Sequence, residues 1–286
     1  EQTKHVDEDN RNKVVWRGSP QRSGWVPFKH WATVFLPEHA DVDVRWMDST
    51  DAPRGGADLE EIVRDVVYYE DVLDLIDKLA ETKPGTFNVV YPDPSFSGCS
   101  ELTRETDRIA EPLPFTPSWE ADEDTPPTPL IDWWFAFLLA RTEHGTHVGW
   151  TALLFDEIGD FVPQDASNDG RRLYDKIDLL RSIWAESRRA RLSQYYYGHY
   201  ETDVHDKIRR QFKWRVQMPD ESPNPIEGLR STHPIGFKTV PMKKDLTSGL
   251  DVGAALAYNQ TKFSYFGWSD IAPFDEDEGR WLQVRL

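Results

Sequence analysis

The run Thr151-Ala-Leu-Leu-Phe-Asp156-Glu157 constrains this chain more than any other segment. A continuously apolar strand must be buried on both faces, as an inner strand of a parallel sheet is and a half-solvated antiparallel strand is not. Residues 130–142, just before it, are apolar nearly all round and are stopped by Gly145, so a buried helix is predicted to feed a buried strand. Open parallel sheets bind ligands in the crevice beyond the carboxyl ends of their strands, and Asp156 and Glu157 are predicted to border that crevice. Two adjacent carboxylates there suit phosphoryl chemistry. The first can hold the shell of a Mg2+ ion, and the second can orient or deprotonate the attacking water.

The flanking sequence carries the same rhythm. Residues 12–17 read as a strand ended by Gly18-Ser-Pro20, and 32–36, 42–46 and 86–91 as further strands. Between 58 and 80 apolar residues recur at three- and four-residue spacing, which predicts one amphipathic helix with a break near Tyr69. Residues 92–130 hold Pro126, Pro127, Pro129 and the acidic run 120–124, and are predicted to form a long irregular surface insertion. A helix over 168–191, a strand over 192–197, a polar helical stretch over 204–211 and a strand over 213–218 complete the pattern. The expected class is α/β, a mainly parallel sheet with helices on both faces over residues 1–219. A β-rich C-terminal extension follows over 220–286, in which the aromatic run 262–268 suggests a hairpin.

Leu153-Leu-Phe-Asp-Glu157, followed by the helix 168–191 that ends in Ser187-Arg-Arg-Ala-Arg191 and by the strand 192–197, resembles the HerA/FtsK branch of P-loop ATPases. It is also similar to ATPases of haloarchaeal pleomorphic viruses and related mobile elements. The resemblance spans 12–219 in the order of elements, with the Asp-Glu strand end as its specific part. It implies a RecA-like core that uses ATP and Mg2+, with Asp156 at the Mg2+ site, Glu157 as the catalytic acid, Arg188 or Arg189 as basic residues at the helix end, and Gln194 or His199 as the polar sensor. It further implies a ring-forming homo-oligomer that moves DNA in genome packaging, transfer or segregation, alongside other viral or mobile-element proteins. The phosphate-binding pattern G-x-x-x-x-G-K-[ST] is absent from the 286 residues. If residues 1–10 are the tail of the helix after that loop, the loop and its strand precede residue 1, and Val14 to Trp16 becomes the second strand. The alternative is a degenerate, non-catalytic interaction protein on the same fold. A two-metal nuclease is a third reading, and it needs further acids converging from other strands.

Composition adds the setting. The net charge of −17 comes mainly from Asp, 30 against 20 Glu, while Arg outnumbers Lys 21 to 12, a balance that suits a salt-adapted protein. An acidic surface repels phosphate unless arginines gather, so Arg209 and Arg210, near Lys213 and Arg215, are the candidate nucleic-acid contacts. The single Cys99 permits no internal disulfide and fits a reducing interior. No apolar run reaches the ~18 residues a membrane span needs. The expectation is a cytoplasmic protein of a halophilic archaeal host, not secreted.

Overall fold

The structure, a computed structural model, describes residues 12–20, 24–168, 170–218, 250–251, 253–259, 262–267 and 281–286. The expected helix tail at 1–10 lies outside the described residues. The chain divides into two compact units, Glu1–Ile208 with Asp277–Leu286, and Arg209–Glu276. The first unit runs β1 (Lys13–Arg17), β2 (Ala32–Pro37), β3 (Asp43–Met47), β4 (Pro53–Gly56), α1 (Leu59–Ile62), β5 (Asp65–Tyr69), α2 (Val72–Glu81), β6 (Phe87–Val90) and α3 (Cys99–Glu105). It continues with α4 (Trp133–Glu143), β7 (Thr151–Phe155), α5 (Ile158–Phe161), α6 (Leu173–Glu186) and β8 (Leu192–Tyr196), and α7 (Asp206–Arg209) stands at the boundary. The second unit holds β9 (Arg215–Gln217), β10 (Ala254–Tyr258) and β11 (Phe263–Gly267) in an antiparallel sheet of order β11-β10-β9. The last strand, β12 (Trp281–Arg285), returns to the first unit, where it pairs with β3.

The frame is a six-stranded sheet of order β5-β2-β6-β1-β7-β8, parallel throughout. One face packs on helices. There α4, buried from Trp133 to Thr142, lies against α2, α3 and α6, and Trp134 meets Phe155 edge-on at 5.6 Å. The opposite row, Trp16, Val34, Val66 and Val89, packs on the 3-10 helix Val26–Trp31, on α1 and on the small antiparallel sheet β12-β3-β4, through Trp25, Leu59, Leu282 and Val284. The fold is thus the expected α/β class with added β structure.

Three expectations need correction. The segment 58–80 is not one helix. Val66 and Val67 lie in β5, an edge strand, because β-branched and aromatic residues in Asp65–Tyr69 fit a pleated surface. Asp71 then starts α2 afresh, its carboxylate accepting from the Leu73 and Asp74 amides at 2.8 Å each. The insertion 92–130 is not wholly superficial, since it contains α3 and buries Cys99, Leu102, Leu113 and Phe115. The helical stretch 204–211 is a single turn, Asp206–Arg209.

Three buried charges, Asp132, Lys176 and Lys13, organise the helical face. Asp132, fully buried before α4, is gripped by the Arg171 guanidinium and accepts from Lys176 Nζ at 2.9 Å, with Lys176 itself buried 4.7 Å over the Phe115 ring. Lys13 donates to the last carbonyls of α2, Leu79 and Ala80, at 2.8 Å each. Burial, and then Arg141, bring the Lys13 pKa down to about 8 from 10.5. The unfolded chain therefore keeps a proton that the folded chain releases. Stability is expected to rise with pH between about 8 and 10.5, and Lys13→Met should remove that increment in urea titrations across this range.

Candidate nucleotide-site edge

In a parallel sheet all carboxyl ends share one edge. From β1 the chain leaves toward β2, β5 and β6, and then crosses over to β7 and β8, so the topological switch lies between β1 and β7. At this point β1 ends in Arg17-Gly18. The Gly18 amide donates to Val90 O at 2.7 Å, and a Cβ there would lie 2.7 Å from the same oxygen and 2.8 Å from the Tyr91 ring. Only glycine fits the approach. Arg17 reaches across the switch, donating from Nη1 to Asp156 O at 2.6 Å, with its guanidinium carbon 4.8 Å from the Phe155 ring centre. Sequence reasoning missed Arg17. Its signal was a charged residue closing an otherwise apolar inner strand.

Beyond β7 the backbone turns sharply. Tyr197 N donates to Phe155 O and Ile158 N to Tyr197 O, both at 2.9 Å, and this holds Glu157 between them in the left-handed region at φ 57 and ψ 62. A non-glycine residue there costs about 1–2 kcal/mol, and such strain gathers at functional positions. The Glu157 carboxylate lies 3.1 Å from His199 Nε2; its side chain is 14% exposed, that of His199 77%. The Glu157 amide donates to Asp156 Oδ1 at 3.1 Å. The Tyr197 hydroxyl titrates above its ordinary value, through burial first, then Tyr195 and the Asp156 charge. Beside these groups a cavity of about 350 Å³ is lined by Glu157, Asp160, Asp165, His199, Tyr200 and Asp203 among others.

The expected site residues are therefore partly gathered. Asp156, Glu157 and His199 share the carboxyl edge of β7 and β8. Gln194 does not face them: its Oε1 accepts from Trp184 Nε1 and the Tyr196 hydroxyl at 2.6 Å each, on the face covered by α6. Arg188 and Arg189 are exposed just before β8 begins, at the amino edge of the sheet. Five residues of strand put them about 16 Å from the carboxyl edge, beyond reach within one chain. Arg209 and Arg210 belong to the second unit, where Arg209 O accepts from Arg215 Nη2 at 3.1 Å.

Carboxylates at Asp156 and Glu157 are hard oxygen donors suited to Mg2+, which takes one or two of them together with waters and substrate phosphates. Among the described residues no three His, Cys, Asp or Glu side chains converge as a metal cage, so the nuclease reading has no support there. Among the described residues that line the cavity there is no Lys or Arg. By themselves the described residues do not fit a triphosphate, whose charge needs a loop of amides and a cation. Nor, among them, is any helix long and apolar enough to cross a membrane.

No family model and no curated protein matches the chain. Among solved structures, the genome packaging NTPase B204 from Sulfolobus turreted icosahedral virus 2 in complex with AMPPCP aligns over 90% of this chain and 96% of that one, at 11% identity and a TM-score of 0.40. The same NTPase in complex with ATP-gammaS gives 10% identity, the same coverage and 0.40. The DNA-packaging ATPase B204 from Sulfolobus Turreted Icosahedral Virus covers 90% and 97%, at 12% identity and 0.37. At this degree of likeness the residue roles rest on the geometry alone.

Proposed function

We propose that this chain is the greater part of an ATP-hydrolysing, DNA-motor-type ATPase of the HerA/FtsK kind, acting in genome packaging, transfer or segregation of a halophilic virus or plasmid. The observation that carries the reading is the strained Glu157 at the carboxyl end of a buried parallel strand, with His199 from the loop after β8 at 3.1 Å. Asp156 would hold the water shell of a Mg2+ ion, which would neutralise phosphate charge, while Glu157 would orient the attacking water and His199 would sense the phosphate. The phosphate loop comes from a strand preceding residue 1. Room for that strand supports the reading, since β8 ends the sheet on its side among the described residues. A parallel strand added there would bring its carboxyl-end loop beside Gly198, His199 and Glu157. Arg188 and Arg189, out of reach in their own chain, serve a neighbouring subunit of a ring. The protein works in the host cytoplasm.

The experiment uses the protein extended upstream. Glu157→Gln is expected to retain ATP binding and lower turnover by about 10²–10⁴-fold. Unchanged turnover would refute the role of Glu157. If the upstream segment holds no Gly-Lys-Ser/Thr, hydrolysis falls away and the non-catalytic interaction protein stands instead, a reading that the cavity favours, acid-lined and without Lys or Arg among its described residues.

A further inference from the structure

Charge is segregated along this chain. Residues 209–276 contain nine Lys and Arg against eight Asp and Glu, a net of +1, so the rest of the chain carries −18 of the total −17. Within that second unit the positive residues Arg209, Arg210, Lys213 and Arg215 crowd the entry to β9, and Lys262 stands at the start of β11. Lys213 and Lys262 are exposed.

The strand they flank has its apolar side outward. Trp214, Val216 and Met218 alternate along β9 and its two flanking residues, on one side of the chain, and are 52%, 56% and 42% exposed. Arg215, on the other side, is half-buried and donates to Arg209 O. On the far strand of the same small sheet, Tyr265 and Phe266 are 45% and 40% exposed. A soluble strand ordinarily buries its apolar side and solvates its cations. The inversion here leaves the exposed Trp214 next in sequence to Lys213, in a unit whose net charge of +1 does not repel phosphate.

We infer that the β9–β11 sheet is a binding platform for single-stranded nucleic acid, with Trp214 stacking on a base and Lys213 and Lys262 meeting the phosphates. Aromatic side chains in a cationic groove bind unpaired strands without sequence choice, because every base offers a π-face. A duplex hides its bases and leaves Trp214 without a partner. The inference does not depend on nucleotide hydrolysis or on a phosphate loop, and its test is run without ATP.

The test measures fluorescence anisotropy of a labelled thymidine oligomer of about ten nucleotides with the 286-residue chain, starting near 0.1 M salt. Binding is expected to weaken with salt, and the same sequence as a duplex should bind at least about tenfold more weakly, since stacking is lost. Trp214→Ala should weaken the single strand by about 5- to 150-fold, and Trp214→Phe should restore most of it. Lys213→Gln with Lys262→Gln should flatten the log–log salt slope by about 1.4, from about 0.7 per phosphate contact. Unchanged circular dichroism shows that each variant is folded. The inference is overturned by absence of binding at low salt, by duplex binding as tight as single-strand binding, or by Trp214→Ala binding like the parent. It is equally overturned if Trp214→Ala abolishes a self-association that the oligomer does not compete with, because the apolar row is then an interface between copies.

Discussion

Replacing Arg141 with Met is expected to destabilise the protein by about 3–5 kcal/mol in urea denaturation. Arg141 is fully buried on α4. Its Nη1 donates to Gly145 O at 2.8 Å and Ala190 O at 2.9 Å, and its Nη2 to Gly149 O at 2.6 Å and Thr151 Oγ1 at 3.0 Å. Burial and the neighbouring Arg191 pull its pKa down to about 10, so the charge is held at a cost that the four acceptors offset. Met fills much of the volume but takes the guanidinium donor from the Gly145 and Ala190 carbonyls, each loss worth about 1–3 kcal/mol where water cannot replace the donor, whereas Gly149 O keeps the Thr151 hydroxyl. The guanidinium also ties the start of β7, through Thr151 Oγ1, to the turn before β8, through Ala190 O. Loss of that tie loosens the register that sets Glu157 against His199. A loss below about 1 kcal/mol would mean that water takes the place of the guanidinium.

Asp132→Ala is expected to cost about 3–5 kcal/mol for a different reason, because it leaves Lys176 as a buried cation without its carboxylate. Burial already lowers the Lys176 pKa, with Asp132 opposing it. In Asp132→Asn the opposing charge is gone while burial and the Arg171 charge still act, so the folded pKa falls further. The unfolded chain keeps that proton up to 10.5, and the variant's stability should therefore climb with pH toward that value more steeply than the parent's. Asp132→Leu combined with Lys176→Met should recover much of the loss, since a buried pair can often be replaced by apolar groups of similar volume. An additive double variant would show that the two side chains do not act as a pair.

Legibility in the sequence followed how local each determinant is. The strand Thr151–Phe155 and the helix before it were readable, because an unbroken apolar run has few places to go. Val66 and Val67 were misassigned because apolar residues at 62, 63, 66 and 67 satisfy helical spacing as well as a short strand, and only pairing with β2 decides between them. Which way Gln194 points is set by register: it pairs with Leu153, on the face that meets α6, and nothing at position 194 alone reveals that. Arg17 and Arg141 were invisible for a related reason. Their acceptors are mostly backbone oxygens, near in sequence as at Gly145 and Gly149 or far as at Ala190 and Asp156, and a carbonyl has no letter in a sequence. β12 shows the limit most plainly, since its partner β3 lies near the other end of the chain.

That pairing bears on how the molecule is made. Trp281 Nε1 donates to Asp48 O, 233 residues earlier, and Leu282 and Val284 are almost wholly buried against the sheet. At about 5–20 residues per second, a ribosome needs roughly 10–50 s to deliver that strand after β3 has emerged. Through that interval the face bearing Trp16, Val34 and Val89 waits without part of its cover, so the nascent chain exposes a greasy surface until residues 281–286 leave the exit tunnel. Where protein is made fast and crowded, holding that surface apart is a task for chaperones before it is one for the fold.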